Sequence, residues 1–431
     1  MTSHSHTPAT PAGAPHFHYT GGSLHVESVP LADLAQELGT PLYVYSRAAL
    51  RAAWQSYHDA IAGRRVLVCY GMKANSNLAV LKEFAQLGAG FDIVSGGELQ
   101  RVLSVGGDPA KIVFSGVGKQ AWEMRAALDA GVKSFNVESE AELRHLSQVA
   151  QSMGHTAAVS LRVNPDVDAQ THPYISTGLK DNKFGIAIES AQAIYRVAAS
   201  LPNIDVVGVD CHIGSQLIDI SPYLDALDKL IGLIKRLRDE DGITIKHLDI
   251  GGGLGIRYTD EVPTSPKTLL DQVFARLQEH GLDTLDVVME PGRSLVGNAG
   301  VLLTTVQYLK HAEAKNFAIV DAAMNDLLRP ALYQAWHGVS PVVPRADDAQ
   351  VYDIVGPVCE SADWLARSRE LAIEAGDVLA IESAGAYSFV MSSNYNSRGR
   401  SAEVIVDGDR HYVVRQRETF EDVIRGESTL P

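Results

Sequence analysis

The stretch Val66-Leu67-Val68-Cys69-Tyr70-Gly71-Met72-Lys73-Ala74-Asn75-Ser76-Asn77 decides how the rest of the chain is read. Its first five residues are an unbroken run of apolar, β-prone side chains, the pattern of a strand buried on both faces. Gly71 and Met72 end that run, and Lys73 follows ahead of a small polar tail. A lone amine there sits at the lip of a parallel sheet or barrel, where such folds build their sites. By itself Lys73 reads as a solvated strand-end lysine, and its weight comes from what lies downstream.

Outward from this strand the same rhythm recurs, a short apolar strand, a turn and an amphipathic helix roughly every 25 to 40 residues. The expected strands are Val66–Tyr70, Gly90–Val94, Lys111–Ser115, Lys133–Val137, Val159–Val163, Val206–Cys211, Lys246–Ile250 and Asp286–Met289. Ser95 with Glu98 and Ser139 with Glu142 are S-x-x-E helix-start signals. Eight strands with helices between them over about 225 residues predict a closed (β/α)8 TIM barrel, with an open doubly wound sheet as the alternative.

From Val301 onward strands follow one another without long helices, which predicts a second, antiparallel β-rich domain. Its expected strands are Val301–Leu309, Phe317–Val320, Val351–Val355, Val378–Ile381, Tyr387–Met391, Ala402–Val406 and Tyr412–Arg415. Leu24–Val26 and Pro41–Tyr45, flanking a helix that carries Leu31, Leu34 and Leu38, lack partners of their own and are expected to join it. The predicted organisation is a disordered tail over 1–20, a β-rich domain from 21–45 with 290–431, and a barrel over 46–289. His4, His6, His16 and His18 in the tail could chelate a metal adventitiously, but no built metal site is expected anywhere.

The chain has 431 residues, 45% of them hydrophobic, and a formal charge of -15. That charge disfavours a nucleic-acid backbone as partner. No apolar run is long enough to span a bilayer, and no basic-then-apolar leader opens the chain, so a cytoplasmic protein is expected. Cys69, Cys211 and Cys359 are far apart, odd in number and without metal-ligand spacing, which fits a reducing compartment.

Chemistry gathers after the expected strand ends. Beside Lys73 stand His212-Ile213-Gly214-Ser215, the run Gly251-Gly252-Gly253-Leu254-Gly255, and Glu290-Pro291-Gly292-Arg293. Consecutive glycines let backbone N–H groups converge on an anion, and barrels place phosphates after strands seven and eight. The spacing is neither a dinucleotide fingerprint nor a P-loop. An amine, a phosphate loop and an acid around one pocket describe a pyridoxal-phosphate site: Lys73 forms the Schiff base, Gly251 to Gly255 hold the phosphate, and Glu290 keeps the pyridine nitrogen protonated. His212 is placed to stack on the ring.

Tyr70-x-x-Lys73-Ala74-Asn75, His212-Ile213-Gly214-Ser215, Gly251-Gly252-Gly253 and Glu290-Pro291-Gly292-Arg293 together resemble the signature set of the fold-type III pyridoxal-phosphate decarboxylases. Gly356-Pro357-Val358-Cys359-Glu360-Ser361-Ala362-Asp363 resembles the diaminopimelate decarboxylase branch, in which Cys-Glu-Ser replaces the Cys-Asp of the ornithine enzymes. The resemblance implies decarboxylation of meso-2,6-diaminopimelate to L-lysine, the last step of lysine biosynthesis. It implies that Lys73 carries the cofactor, Glu290 meets the pyridine nitrogen and His212 stacks, while Ser215, the glycine loop, Gly292, Arg293 and Tyr387 hold the cofactor.

It further implies that Cys359 donates the proton, arriving with Glu360 from the neighbouring subunit of a homodimer. Arg293, Arg329 and Tyr333 would grip the distal carboxylate, with Tyr387 beside them, and Glu360 the distal ammonium. Charge logic agrees, since a substrate with an amino-acid head at each end needs a cation for the carboxylate and an anion for the ammonium. Gly71 stands where family members often carry alanine. Asn182-Lys183-Phe184-Gly185-Ile186 resembles a further family segment without a defined chemical role. The alternatives are an ornithine- or arginine-type decarboxylase, an amino-acid racemase such as alanine racemase, which shares the barrel, and a non-catalytic homologue.

Overall fold

The computed structural model describes residues 10–168 and 183–431. His4, His6 and Asn182 lie outside the described residues. The chain forms two compact units, one of Trp54–Ile256 with Val262–Ser294, the other of Met1–Ala53, Arg257–Glu261 and Leu295–Pro431.

The first unit is a closed barrel of parallel strands: β1 (Val66–Gly71), β2 (Gly90–Ile93), β3 (Ile112–Phe114), β4 (Ser134–Val137), β5 (Ala157–Asn164), β6 (Ile204–Asp210), β7 (His247–Asp249) and β8 (Asp286–Met289). Closure comes from β8 pairing with β1, Val68 opposite Met289, and from β4 pairing with β5, Val137 opposite Leu161. The open-sheet alternative is therefore set aside. Helices return the chain between strands, as the right-handed βα unit requires. The two S-x-x-E signals do cap helices, Gly96–Ser104 and Glu140–Met153, each serine accepting the glutamate's N–H at 3.2 Å. Their glutamates reach one residue further back than the capping serine, to the N–H of Val94 at 2.7 Å and of Glu138 at 3.0 Å.

Inside the barrel, Cys69, Val113 and Val288 from β1, β3 and β8 form a small apolar layer. Because side chains alternate along a strand, that layer fixes which residues of each strand face inward. It also gives Cys69 a plain packing role, and Cys211 is buried as well.

The second unit is a mixed, mainly antiparallel sheet. In spatial order the strands along its main path are Trp364–Leu371, Gln350–Val355, Asn316–Val320, Gly300–His311, Leu42–Ser46, Ala402–Asp407 and Arg410–Arg415, and Val378–Ile381 branches off by pairing with both Gly300–His311 and Val339–Pro341. Leu42–Ser46 lies between Gly300–His311 and Ala402–Asp407, so the N-terminal segment completes the sheet centre. Leu42, Val44, Val301, Leu303, Val404 and Val406 share one core with Phe17, Leu24 and Leu31.

Two expectations are corrected here. The tail was expected to be disordered through residue 20, yet Phe17–Thr20 is a strand paired with Ser23–Val26, because the Phe17 ring is buried in that core. Tyr387–Met391 is not a strand but a turn running into a single 3-10 turn, Phe389–Met391. Gly385 explains the break: a Cβ there would lie 1.8 Å from the Val296 carbonyl oxygen, and Tyr387 then adopts φ 55°.

Candidate active site

At the end of β1 the chain tightens into a 3-10 turn, Met72–Ala74, which presents Lys73 at the carboxyl-end mouth of the barrel. The Tyr70 hydroxyl donates to the Asn75 carbonyl at 2.8 Å and clamps that turn, which gives the Tyr-x-x-Lys-Ala-Asn spacing a physical purpose. Lys73 Nζ donates to Asp92 Oδ2, on β2, at 2.7 Å. An ideal Cβ on Gly71 would stand 3.4 Å from the Glu290 carbonyl oxygen and 3.6 Å from Gly292 Cα, so the glycine here is not forced by space.

Glu290 follows β8 and is buried. Asn136 Nδ2, from β4, donates to its Oε1 at 3.2 Å, and the Ser115 hydroxyl approaches the same oxygen at 3.4 Å. Asp210, Asp249 and Glu290, at the ends of β6, β7 and β8, have carboxylate oxygens within 4.8 Å of one another, and all three residues are buried. Burial first, then the charges of Asp249, Asp92 and Asp210, pushes the Glu290 carboxyl well above the usual range. Burial likewise raises Asp210, with Asp249 adding to it, and lifts Asp249 to about 7.

Two backbone N–H groups of the glycine run already have acceptors within the protein. The Gly251 N–H is held by Asp249 Oδ1 at 2.9 Å, and the Gly252 N–H by His212 Nδ1 at 3.2 Å. A Cβ on Gly252 would fall 2.1 Å from the Glu290 carbonyl oxygen, so that glycine is there to let two strand ends meet. Gly253, at φ 115° and with room for no Cβ, which would fall 2.3 Å from the Gly214 oxygen, supplies the close turn. Since His212 Nδ1 accepts the Gly252 N–H, the imidazole carries its proton on Nε2 and is neutral. Burial, with Arg162 and Lys73 nearby, holds its pKa well below the usual histidine value. Arg293 donates through Nε and Nη2 to Ser215 Oγ at 3.3 and 3.0 Å, joining the ends of β6 and β8.

Lys73, His212, Ser215, Gly251 to Gly253, Glu290, Gly292 and Arg293 thus all lie on the barrel unit, at or beyond the carboxyl ends of its strands. The remaining expected residues belong to the β-rich unit. Arg329 and Tyr333 bracket a five-residue helix, and Arg329 is buried. Cys359 and Glu360 are exposed on the loop after Gln350–Val355. That loop is folded around buried Asp363, whose carboxylate accepts the N–H groups of Met324 at 2.6 Å and Val358 at 2.7 Å. The Tyr395 hydroxyl donates to Glu360 Oε1 at 2.5 Å. Tyr387 is half-buried in its left-handed turn, a conformation that costs about 1–3 kcal/mol and tends to collect at functional positions.

Comparison with known proteins gives the family of the chain. Residues 47–297 match the family model for the pyridoxal-binding domain of pyridoxal-dependent decarboxylases. Diaminopimelate decarboxylase from Pseudomonas aeruginosa is 60% identical over 415 residues, 96% of this chain and 99% of the relative. The chain belongs to the diaminopimelate decarboxylase family. Among solved structures, the diaminopimelate decarboxylase of Helicobacter pylori complexed with L-lysine is 43% identical, with a TM-score of 0.88 over 92% of this chain and 98% of that one. The enzyme of M. jannaschii, also complexed with L-lysine, is 38% identical, with a TM-score of 0.92 over 97% and 99%.

The cofactor of a diaminopimelate decarboxylase is pyridoxal phosphate, and the barrel residues suit it. A buried carboxyl crowded by other acids is relieved by a cationic N–H, which is what a protonated pyridine nitrogen offers Glu290. Asp92 Oδ1 and Asp249 Oδ2 are further buried oxygens with no hydrogen bond among the described residues, so the mouth favours positive charge.

Sequence reading overlooked Asp92, Asn136, Arg162, Asp210 and Asp249. Their shared signal is a polar or charged residue inside a short strand that is buried along most of its length. Arg162 Nη1 donates to Glu138 at 2.9 Å, and its guanidinium lies 4.9 Å from the Phe184 ring centre. The Gly185 N–H bonds Glu138 at 2.8 Å. The described part of the Asn182–Ile186 segment, from Lys183 on, therefore covers this ion pair.

Proposed function

We propose that this protein decarboxylates meso-2,6-diaminopimelate to L-lysine and carbon dioxide, the last step of lysine biosynthesis, with pyridoxal phosphate bound through Lys73. The near-full-length identity to diaminopimelate decarboxylases carries the substrate assignment. The acid-crowded barrel mouth around Lys73 supports the cofactor's position.

When bound, pyridoxal phosphate supplies a conjugated electron sink for the pair freed as the carbon–carboxylate bond breaks. Glu290 holds the proton at the pyridine nitrogen and so keeps that sink deep. Neutral His212 would face the ring without bringing a positive charge to compete with a protonated pyridine nitrogen. Ser215, the Gly253 backbone, Gly292, Arg293 and Tyr387 bind the phosphate end. Asp92 would keep the Lys73 amine oriented toward the place where the cofactor is held.

Substrate selection falls to Arg293, Arg329 and Tyr333 for the retained carboxylate, with Tyr387 beside them, and to Glu360 for the retained ammonium. An ornithine-type substrate has no distal carboxylate for these cations to recognise. Cys359 returns a proton to the carbon that lost its carboxylate. Cys359 and Glu360 are exposed, which suits service to a second copy of the chain, and the active unit is a homodimer with shared sites. The protein works in the cytoplasm, and no helix among the described residues is long and apolar enough to cross a membrane.

Carbon dioxide release and lysine formation, measured with meso-diaminopimelate beside ornithine, arginine and lysine, test this reading. Turnover of meso-diaminopimelate alone supports it. Release from ornithine or arginine, with none from meso-diaminopimelate, overturns the assignment of Arg329 and Glu360.

A further inference from the structure

His337 is fully buried within the β-rich unit and does not figure in the signature motifs. Its Nε2 lies 2.9 Å from Arg329 Nη1 and its Nδ1 lies 2.8 Å from the Glu382 backbone carbonyl. A guanidinium only donates and a carbonyl only accepts, so both contacts are satisfied by one form of the ring: neutral, with the proton on Nδ1. The Glu382 carboxylate is occupied elsewhere, by the Ser340 hydroxyl at 2.5 Å and the Ala12 N–H at 2.7 Å, and meets the imidazole only through its backbone.

The imidazole is itself firmly held. Gly338 follows it and accepts the Glu382 N–H at 2.9 Å, after which Val339–Pro341 pairs with Val378–Ile381. The His337 carbonyl accepts from Arg369 Nη2 at 2.8 Å. On the other side, the Arg329 guanidinium lies 5.2 Å from the centre of the Tyr258 ring, which meets the His337 ring edge to face at 5.7 Å. Arg329 thus has a neutral acceptor at one nitrogen and an aromatic face as a wall.

We infer that His337 is a positioning residue for substrate recognition: it fixes the plane of the Arg329 guanidinium so that the fork receives the retained carboxylate of the substrate. A neutral partner can do this without consuming the charge, whereas an acid in the same place would compete with the substrate for it. A fixed plane matters because two parallel N–H···O bonds form only when fork and carboxylate are coplanar. The inference rests on the reading of Arg329 as the carboxylate-binding arginine.

Two near-isosteric variants separate the two ring nitrogens. His337→Asn keeps a donor for the Glu382 carbonyl and loses the acceptor for Arg329, whereas His337→Gln places an acceptor near the Nε2 position and loses that donor. For the purified, cofactor-loaded enzyme, His337→Asn should raise KM for meso-diaminopimelate about tenfold, the scale of one hydrogen bond to a charged group, with kcat within about twofold. His337→Gln should restore KM to within about threefold of the parent. A purely structural histidine predicts the reverse order, with Gln the more damaged, and that order overturns the inference, as does an unchanged KM in His337→Asn. If His337→Asn does not fold, the Gln variant still decides, since a KM raised about tenfold there contradicts positioning through Nε2. Arg329→Lys is run alongside: if it leaves KM unchanged, the carboxylate assignment of Arg329 fails, which is distinguishable from failure of His337 alone.

Discussion

Lys73 and Asp92 form an ion pair across adjacent barrel strands, Nζ to Oδ2 at 2.7 Å, in which the carboxylate is fully buried while the lysine side chain keeps 39% of its surface exposed. The pair holds the amine at the mouth without burying it, as the proposed attachment of the cofactor to Lys73 would require. Asp92→Asn should retain the fold, slow attachment of pyridoxal phosphate to Lys73, and lower kcat by about tenfold. The growth of cofactor absorbance after mixing with apoenzyme measures the first effect, and an unchanged rate would leave the ion pair without a role in attachment.

Glu290 predicts a trade between activity and stability. Its carboxyl sits among Asp249, Asp92 and Asp210 with its pKa pushed up by burial. Glu290→Gln removes a group that is costly to ionise there, so the cofactor-free variant should melt higher than the parent at neutral pH, as functional groups often oppose stability. Its kcat should fall by about a hundredfold or more, since the amide cannot hold the pyridine proton. Lower melting together with retained activity would contradict both halves.

Asp249 sets a pH dependence. Its folded pKa, raised by burial to about 7 from the ordinary 3.8, means that the folded state binds the proton more tightly than the unfolded one. Its contribution to stability is therefore fully present below the unfolded value and is lost as pH rises through about 7. In apoenzyme, the melting temperature of Asp249→Asn relative to the parent should improve steadily from about pH 5 to about pH 8. A constant difference across that range would mean Asp249 is already ionised at its lower end.

The proposed sharing of active sites between two copies of the chain predicts complementation. Lys73→Ala and Cys359→Ala homodimers should each be inactive, and mixing them under conditions of proven subunit exchange should restore about a quarter of parental activity, because a mixed dimer keeps one intact site of two and half the dimers are mixed. Exchange without recovery would place Cys359 in the same subunit's site.

The barrel was legible because its parallel strands are buried on both faces and announce themselves as apolar runs, and all eight lie within two residues of their expected ends. The same criterion hid the carboxylate ring. Asp92 in Gly90–Ile93, Asp210 closing Ile204–Asp210 and Asp249 closing His247–Asp249 fell inside the expected strands without standing out from them, and only closure of the barrel brings these buried carboxyls together.

The β-rich unit was harder to read for a different reason. Trp364–Leu371 carries Arg367, Arg369 and Glu370, and Ser368 sits at φ 54° where its register with Gln350–Val355 shifts, so regular alternation is lost. At Tyr387 the reverse error occurred. Aromatic and apolar residues suggested a strand, while the close approach of Gly385 to Val296, a long-range contact no local pattern encodes, makes a turn. His337 left no signal of its own, because its two partners come from Arg329 and from a backbone carbonyl 45 positions away.

The most direct test of the central claim is to reduce the cofactor-loaded enzyme with borohydride and map the pyridoxyl group by peptide mass. Lys73 as the labelled residue, with label lost in Lys73→Ala, is the predicted result. Label on any other lysine, or undiminished label in the variant, would contradict the placement of the cofactor at the mouth of the barrel beside Glu290.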